Sequence, residues 1–280
     1  AILAQPWEYN DRLVAEAPVL REANTGLILV SSHELVSQVV NDHETFSNRF
    51  MLMMGGGQEP KIPDAVAEVM SEGYPSVDTM LTADPPEQRR FRSLVNKGFT
   101  VRAVARLAPR IEALAAELID TFADDGRVEL RSQFSVPLPL TVIAEQLGVP
   151  RRDLAKFKEW SDGFVAQLGG MASTEEQVDA WKLIVEFQKY FEKVLKDRAE
   201  NPQADIVSAL INARVEGERP LNMAECLSIL QQLLVAGNET TASTICEGMR
   251  LLVDNPDQLA LLREDPERIP NAVEEMLRLT

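Results

Sequence analysis

Leu233-Leu234-Val235-Ala236-Gly237-Asn238-Glu239-Thr240-Thr241 lies within the longest stretch of helical apolar spacing in the chain, Asn222 to Val253, and its reading decides the fold. Apolar residues precede it on nearly every face, which predicts a helix buried inside a helical protein. A glycine, a carboxylate and two adjacent threonines run against simple helix preference there, glycine alone costing roughly 1 kcal/mol relative to alanine. Local rules broken in a core often mark function. The chemistry that needs this set is proton delivery to something bound against the helix. Thr240 can bond back to the Ala236 carbonyl and loosen the turn, Gly237 lets a ligand approach the backbone, and Glu239 supplies an acid within hydrogen-bond reach. A Thr-rich packing helix with Glu239 reaching solvent accounts for the same residues equally well.

Working outward, helical spacing recurs over Arg110 to Ala123, Arg151 to Leu168, Glu175 to Glu200, Asp205 to Val215, Gln258 to Arg263 and from Asn271 onward. Turn residues separate these segments at Asp124-Asp125-Gly126, Gly169-Gly170, Asn201-Pro202, Glu216-Gly217, Asn255-Pro256 and Asp265-Pro266. Asp84 as cap, Pro85 in the first turn and Glu87 predict another helix start before Phe91, Leu94 and Val95. Upstream, Val19 to Val30 reads as a β-hairpin turning at Glu22-Ala23-Asn24-Thr25-Gly26. Ser31 and Glu34 then form a capping box ahead of Leu35, Val36, Val39 and Val40. Residues 50 to 80 read as a long irregular loop. Its Gly55-Gly56-Gly57 run is no phosphate loop, since no Gly-Lys-Ser/Thr follows. The fold class is therefore mainly α with a small β portion, in a single domain over 1–280.

Composition narrows the function. At 280 residues and 45% hydrophobic the chain can bury a large core. A formal charge of -16 argues against nucleic acid and anionic membrane as general partners. No apolar run approaches the roughly 18 residues that span a bilayer. Cys226 and Cys246, too few for a disulfide framework, suit a reducing cytoplasm as buried free thiols. The only histidines are His33 and His43, and no HExxH, CxxC or Gly-x-Ser-x-Gly pattern occurs, so zinc and hydrolase readings rank low. Residue 1 is alanine and a helical pattern is unfinished at Thr280, so the sequence is expected to be part of a longer one.

Ala236-Gly237-Asn238-Glu239-Thr240-Thr241 is similar to the oxygen-activating helix of the cytochrome P450 family, with its small-Gly-x-acid-Thr-Thr pattern. Two more segments agree in order. Glu274-Glu275-Met276-Leu277-Arg278 looks like the family's Glu-x-x-Arg helix, which implies a buried structural ion pair between Glu275 and Arg278. Asp84 to Thr100 resembles the haem-edge helix, in which a histidine and an arginine four residues later contact the haem propionates; Arg92 fits the arginine, while Gln88 stands at the histidine position.

The resemblance covers nearly the whole chain and implies the haem-thiolate fold, incomplete at the C-terminus, with haem b (iron protoporphyrin IX) as cofactor. It implies insertion of one oxygen atom from dioxygen into a largely apolar organic substrate, hydroxylation being the default outcome. Glu239 and Thr240 would be catalytic; Gln88, Arg92, Ala236, Gly237 and Thr241 would line the cofactor. Met80, Phe164, Gln232 and Val235 would face the substrate, with Met51, Met53 and Met54 as adaptable apolar surface. The axial cysteine would lie beyond Thr280, and neither Cys226 nor Cys246 is assigned to iron. Between Gln88 and Ile111 the basic residues Arg89, Arg90, Arg92, Lys97, Arg102, Arg106 and Arg110 occur without an acid. In this family that region lies near the face that receives electrons from an acidic ferredoxin or flavin protein, where complementary charge would speed encounter. The alternative is a noncatalytic helical interaction protein on the same scaffold.

Overall fold

The computed structural model describes residues 6–49, 62–96, 98–168 and 173–279. The expected hairpin forms: β1 (Val19–Arg21) pairs antiparallel with β2 (Ile28–Val30), Val19 opposite Val30. It lies between α1 (Trp7–Glu16), which the sequence reading did not include, and α2 (His33–Asn41). The cap of α2 is Ser32 rather than Ser31: Ser32 accepts the Leu35 N–H, while the Ser31 hydroxyl donates to the Pro18 carbonyl across the hairpin. Neither α1 nor α2 has a fully buried residue.

The supposed loop at 50–80 contains a helix, α3 (Asp64–Met70), packed on α9 (Thr174–Glu200). Seven residues with a single buried side chain, Val66, are too short to show a period in sequence. The methionines at 51, 53 and 54, the glycines at 55–57, Gly169-Gly170 and Lys97 fall outside the described residues. Next come α4 (Glu87–Val95), α5 (Val101–Ala105) and α6 (Ala108–Asp120). Asp84 does not cap α4. Its carboxylate accepts instead from the Ser47 hydroxyl (2.6 Å) and the Asn48 N–H (2.7 Å), tying the approach to α4 to the segment after α2.

A π-helical turn at Arg131–Ser135 leads into α7 (Pro137–Gln146). Its prolines sit in the first turn, where a missing N–H costs nothing, and apolar residues all round it hide the amphipathic period. A 3-10 turn at Arg151–Asp153 precedes α8 (Leu154–Leu168). The predicted helix at Asp205 to Val215 is shorter, α10 (Ile206–Ile211), capped by the Asp205 side chain. Then follow α11 (Met223–Asp254), α12 (Pro256–Glu264) and α13 (Ile269–Leu279).

The core is aromatic where α8 meets α9. Ile184, Phe187, Phe191 and Leu195 recur at helical spacing on α9 and are essentially fully buried. Phe187 stands 5.7 Å from the Trp160 ring, 5.0 Å from Phe164 and 4.6 Å from Phe191. Cys226, Leu227, Ile229, Leu230 and Leu234 of α11 close the same cluster. The central helix is thus held by α7, α8 and the π-helical turn along its middle.

Candidate functional site

The capping box Asn222/Glu225 starts α11, and Asn255-Pro256 stops it. Between these ends the helix divides by face. Asn238 is fully buried and donates Nδ2 to the Ser161 hydroxyl of α8 (3.4 Å), its Oδ1 without a partner among the described residues. Ala236, Thr240, Thr241 and Ser243 are exposed, so small side chains cover one side of an otherwise packed helix. The Thr240 hydroxyl donates to the Ala236 carbonyl at 2.7 Å, and Thr244 repeats the bond to the Thr240 carbonyl at 3.0 Å. Two successive back-bonds of this kind loosen a helix and bend it.

Gly237 is half-buried, and a methyl group added there would meet the Ile143 side chain of α7 at 3.7 Å, ordinary contact distance. Glu239 is 30% exposed, with Arg131 of the π-helical turn 3.7 Å from its carboxylate.

The remaining candidates separate into groups. Gln232, one turn before Ala236, donates Nε2 to the buried Thr79 hydroxyl (2.7 Å) and accepts the Leu81 N–H (3.2 Å). Ser228 accepts the Val77 N–H (3.2 Å), and Gln188 of α9 holds both backbone groups of Tyr74 (2.8 and 3.1 Å). Gly73 is required beside that grip, since a Cβ would lie 2.2 Å from the Gln188 Oε1. Residues 73–81 thus form a strap stitched to α9 and α11, and the Gln232 amide is engaged by protein. Met80 and Val235 are half-buried against the core. Phe164 is 3% exposed, with its ring 5.0 Å from that of Phe187.

On α4, Arg92 is exposed with no side-chain partner among the described residues, and half-buried Gln88 makes no side-chain hydrogen bond among them. Glu275 and Arg278 do pair, with both contacts at 2.7 Å, and the guanidinium holds the Glu275 carboxyl below its ordinary range. The two side chains are 55% and 63% exposed on α13 within the described residues. Of the basic run, Arg90 and Arg110 are engaged internally, by Glu225 and Glu145, while Arg89, Arg92, Arg102 and Arg106 remain exposed without partners among the described residues.

No group of three or more His, Cys, Asp and Glu side chains among the described residues is arranged to hold a metal ion. Cys226 is fully buried and its thiol is pushed up to about 12 by burial, which keeps it protonated and away from metal chemistry. The chemistry of the exposed side chains does fit a flat apolar cofactor bearing carboxylates: small residues on α11 for its face, and an unpaired guanidinium on α4 for its anionic edge. The sequence reading missed the most heavily bonded polar cluster, Arg90, Arg219 and Glu225. Only the Asn-x-x-Glu capping signature pointed at Glu225, and its Arg90 partner lies 135 residues earlier.

The family model described as Cytochrome P450 matches residues 168–276. Cytochrome P450 CYP107DY1 of Priestia megaterium is 38% identical over 212 residues, 76% of this chain and 51% of that protein. The 6-deoxyerythronolide B hydroxylase of Saccharopolyspora erythraea is 40% identical over 199 residues, 71% of this chain and 48% of that protein. The crystal structure of the P450 enzyme CYP109B1 from Bacillus subtilis matches with a TM-score of 0.77 at 32% identity, over 98% of this chain and 68% of that one. The chain spans about half the length of these curated relatives.

Proposed function

The chain belongs to the cytochrome P450 family, and we propose that it is part of a haem-dependent monooxygenase that inserts one oxygen atom from dioxygen into a largely apolar organic substrate. The observation that carries this reading is the Thr240 back-bond to the Ala236 carbonyl at 2.7 Å, on an exposed small-residue face beside half-buried Glu239. The hydroxylase name of the Saccharopolyspora erythraea relative agrees with it.

Haem b would supply the redox and dioxygen-activating chemistry. Ala236, Thr240 and Thr241 would lie along its face, and Arg92 and Gln88 would donate to its propionates; an exposed, unpaired guanidinium is the group such an anion recruits. Gly237, next to Ala236, would let the cofactor approach the helix backbone. Glu239 would hold a proton that the reaction consumes. Thr240 Oγ1, whose own hydrogen is directed at the Ala236 carbonyl, would accept a hydrogen bond from the Glu239 acid or from a water and so orient that proton donor beside the cofactor face. Arg131 opposite Glu239 keeps that carboxylate oriented. Met80, on the strap anchored by Gln232, would form part of an apolar substrate wall.

Electrons would come from an acidic ferredoxin or flavin protein docking on Arg89, Arg92, Arg102 and Arg106, where opposite charge speeds encounter. No helix among the described residues is long and apolar enough to cross a membrane, and a cytoplasmic location accords with the two free thiols. The test is the absorption spectrum of the natural gene product, reduced and exposed to carbon monoxide, beside that of the 280-residue chain. A thiolate-type haem band in the natural product is expected. Its absence would refute the reading and leave a helical interaction protein as the better account.

A further inference from the structure

Glu225 occupies the third helical position of α11, where capping needs only one reciprocal bond, to the Asn222 N–H (2.9 Å). Its carboxylate is 3% exposed and accepts four more. Arg90 of α4 donates Nη1 at 2.9 Å and Nη2 at 3.3 Å, and Arg219 donates Nη2 at 2.6 Å and Nη1 at 2.9 Å. Arg90 is itself nearly buried, and its Nη2 reaches the carbonyls of Arg219 (3.2 Å) and Pro220 (3.4 Å). Capping alone requires none of this. Glu225 and Arg90 are the buried pair, Arg219 being 59% exposed, and a buried ion pair is costly unless its geometry is good, so the forked Arg90–Glu225 contact is held narrowly even though the Arg90 Nε has no hydrogen-bond partner among the described residues.

Arg90 and Arg92 stand two residues apart on α4, about 200° apart around the helix at 3.6 residues per turn. One guanidinium is locked to the first turn of α11, and the other is exposed without a side-chain partner among the described residues. Whatever fixes Arg90 therefore fixes where Arg92 and Gln88 stand relative to α11. We propose that Arg90, acting through Glu225, is a positioning residue for the haem, holding the propionate-contacting face of α4 in register with the Ala236–Thr240 face of α11. This rests on the reading of α4 and α11 as haem-contacting helices.

Arg90→Gln in the haem-loaded protein tests it, with Arg110→Gln as the matched reference. Arg110 makes a comparable two-pronged pair with Glu145 (2.6 and 2.9 Å) that does not involve α4. Haem release to apomyoglobin and amide exchange over 87–95 are the readouts. Arg90→Gln should loosen α4 and speed haem release at least about tenfold, the lower range for losing a residue that orients a ligand-contacting group. Arg110→Gln, at an equal loss in urea midpoint, should leave release unchanged. Arg90→Lys, which keeps the charge and loses the fork, should fall between, and carries the test if the glutamine variant does not fold. Looser α4 with unchanged haem release would overturn the proposal while leaving the haem reading intact. If Arg92→Ala also leaves release unchanged, the reading of α4 as a haem contact fails, and the proposal with it.

Discussion

Glu225→Gln isolates what the charge in the α11 knot contributes to folding. The carboxyl sits at about 2 against an ordinary 4.5, held down by hydrogen bonds from Arg219 and Arg90 and the Asn222 N–H, which outweigh the opposing effect of burial. At about 1.4 kcal/mol per tenfold change in an ionisation constant, that difference corresponds to roughly 3 kcal/mol of stability at neutral pH. Because the folded value lies below the unfolded one, the stabilisation is complete above pH 4.5 and is lost as pH falls toward 2. Urea denaturation of both proteins at a series of pH values measures it. The glutamine variant should be about 3 kcal/mol less stable at pH 7, and the gap should fall to about half by pH 3. Other carboxylates titrate alike in both proteins and cancel in the difference. A gap below about 1 kcal/mol at pH 7, the range of an exposed ion pair, would refute the reasoning. So would a gap independent of pH down to 3, which would mean that shape rather than charge holds the knot.

Gln232→Ala removes both bonds to the strap and leaves the buried Thr79 hydroxyl unpaired; about 1–3 kcal/mol should be lost and amide exchange over 77–81 should quicken, and an unchanged exchange pattern would contradict the stitching. Phe187→Ala empties the centre of the aromatic cluster and should cost about 3–5 kcal/mol in a denaturant melt, a loss near zero being incompatible with the packing described. The Cys226 thiol, pushed up to about 12 by burial, should resist iodoacetamide at pH 8 until denaturant is added; peptide mass spectrometry detecting adduct in the folded protein would count against its burial.

Much of the helical order was legible because it is written in local patterns. The hairpin at Val19–Val30, the run of α11 from its Asn222 cap to Asn255-Pro256, and the Thr240 bond to the Ala236 carbonyl all depend on residues within a few positions of each other. Where local signals are weak the reading failed: α3 is too short to show a period, and α7 is too apolar to show a face. Caps slipped for a related reason. Ser31 and Ser32, or Asp84 and its neighbours, offer equivalent oxygens, and the partner that captures each is supplied by a distant segment such as Ser47 and Asn48.

The sequence by itself determined that a buried central helix carries Glu239 and Thr240 at adjacent positions, and that Arg92 lies on a separate, basic helix; periodicity and motif spacing are local and survive without coordinates. Only the tertiary structure decided what each side chain does there. It gave the Gln232 amide to Thr79 and Leu81, buried Phe164 among aromatic rings, set Gly237 at contact distance from Ile143 and locked Arg90 onto Glu225. The physical reason is that a donor or an apolar face takes the partner that packing brings within about 3 to 4 Å, and the partners of Gln232 and Arg90 lie 153 and 135 residues away along the chain.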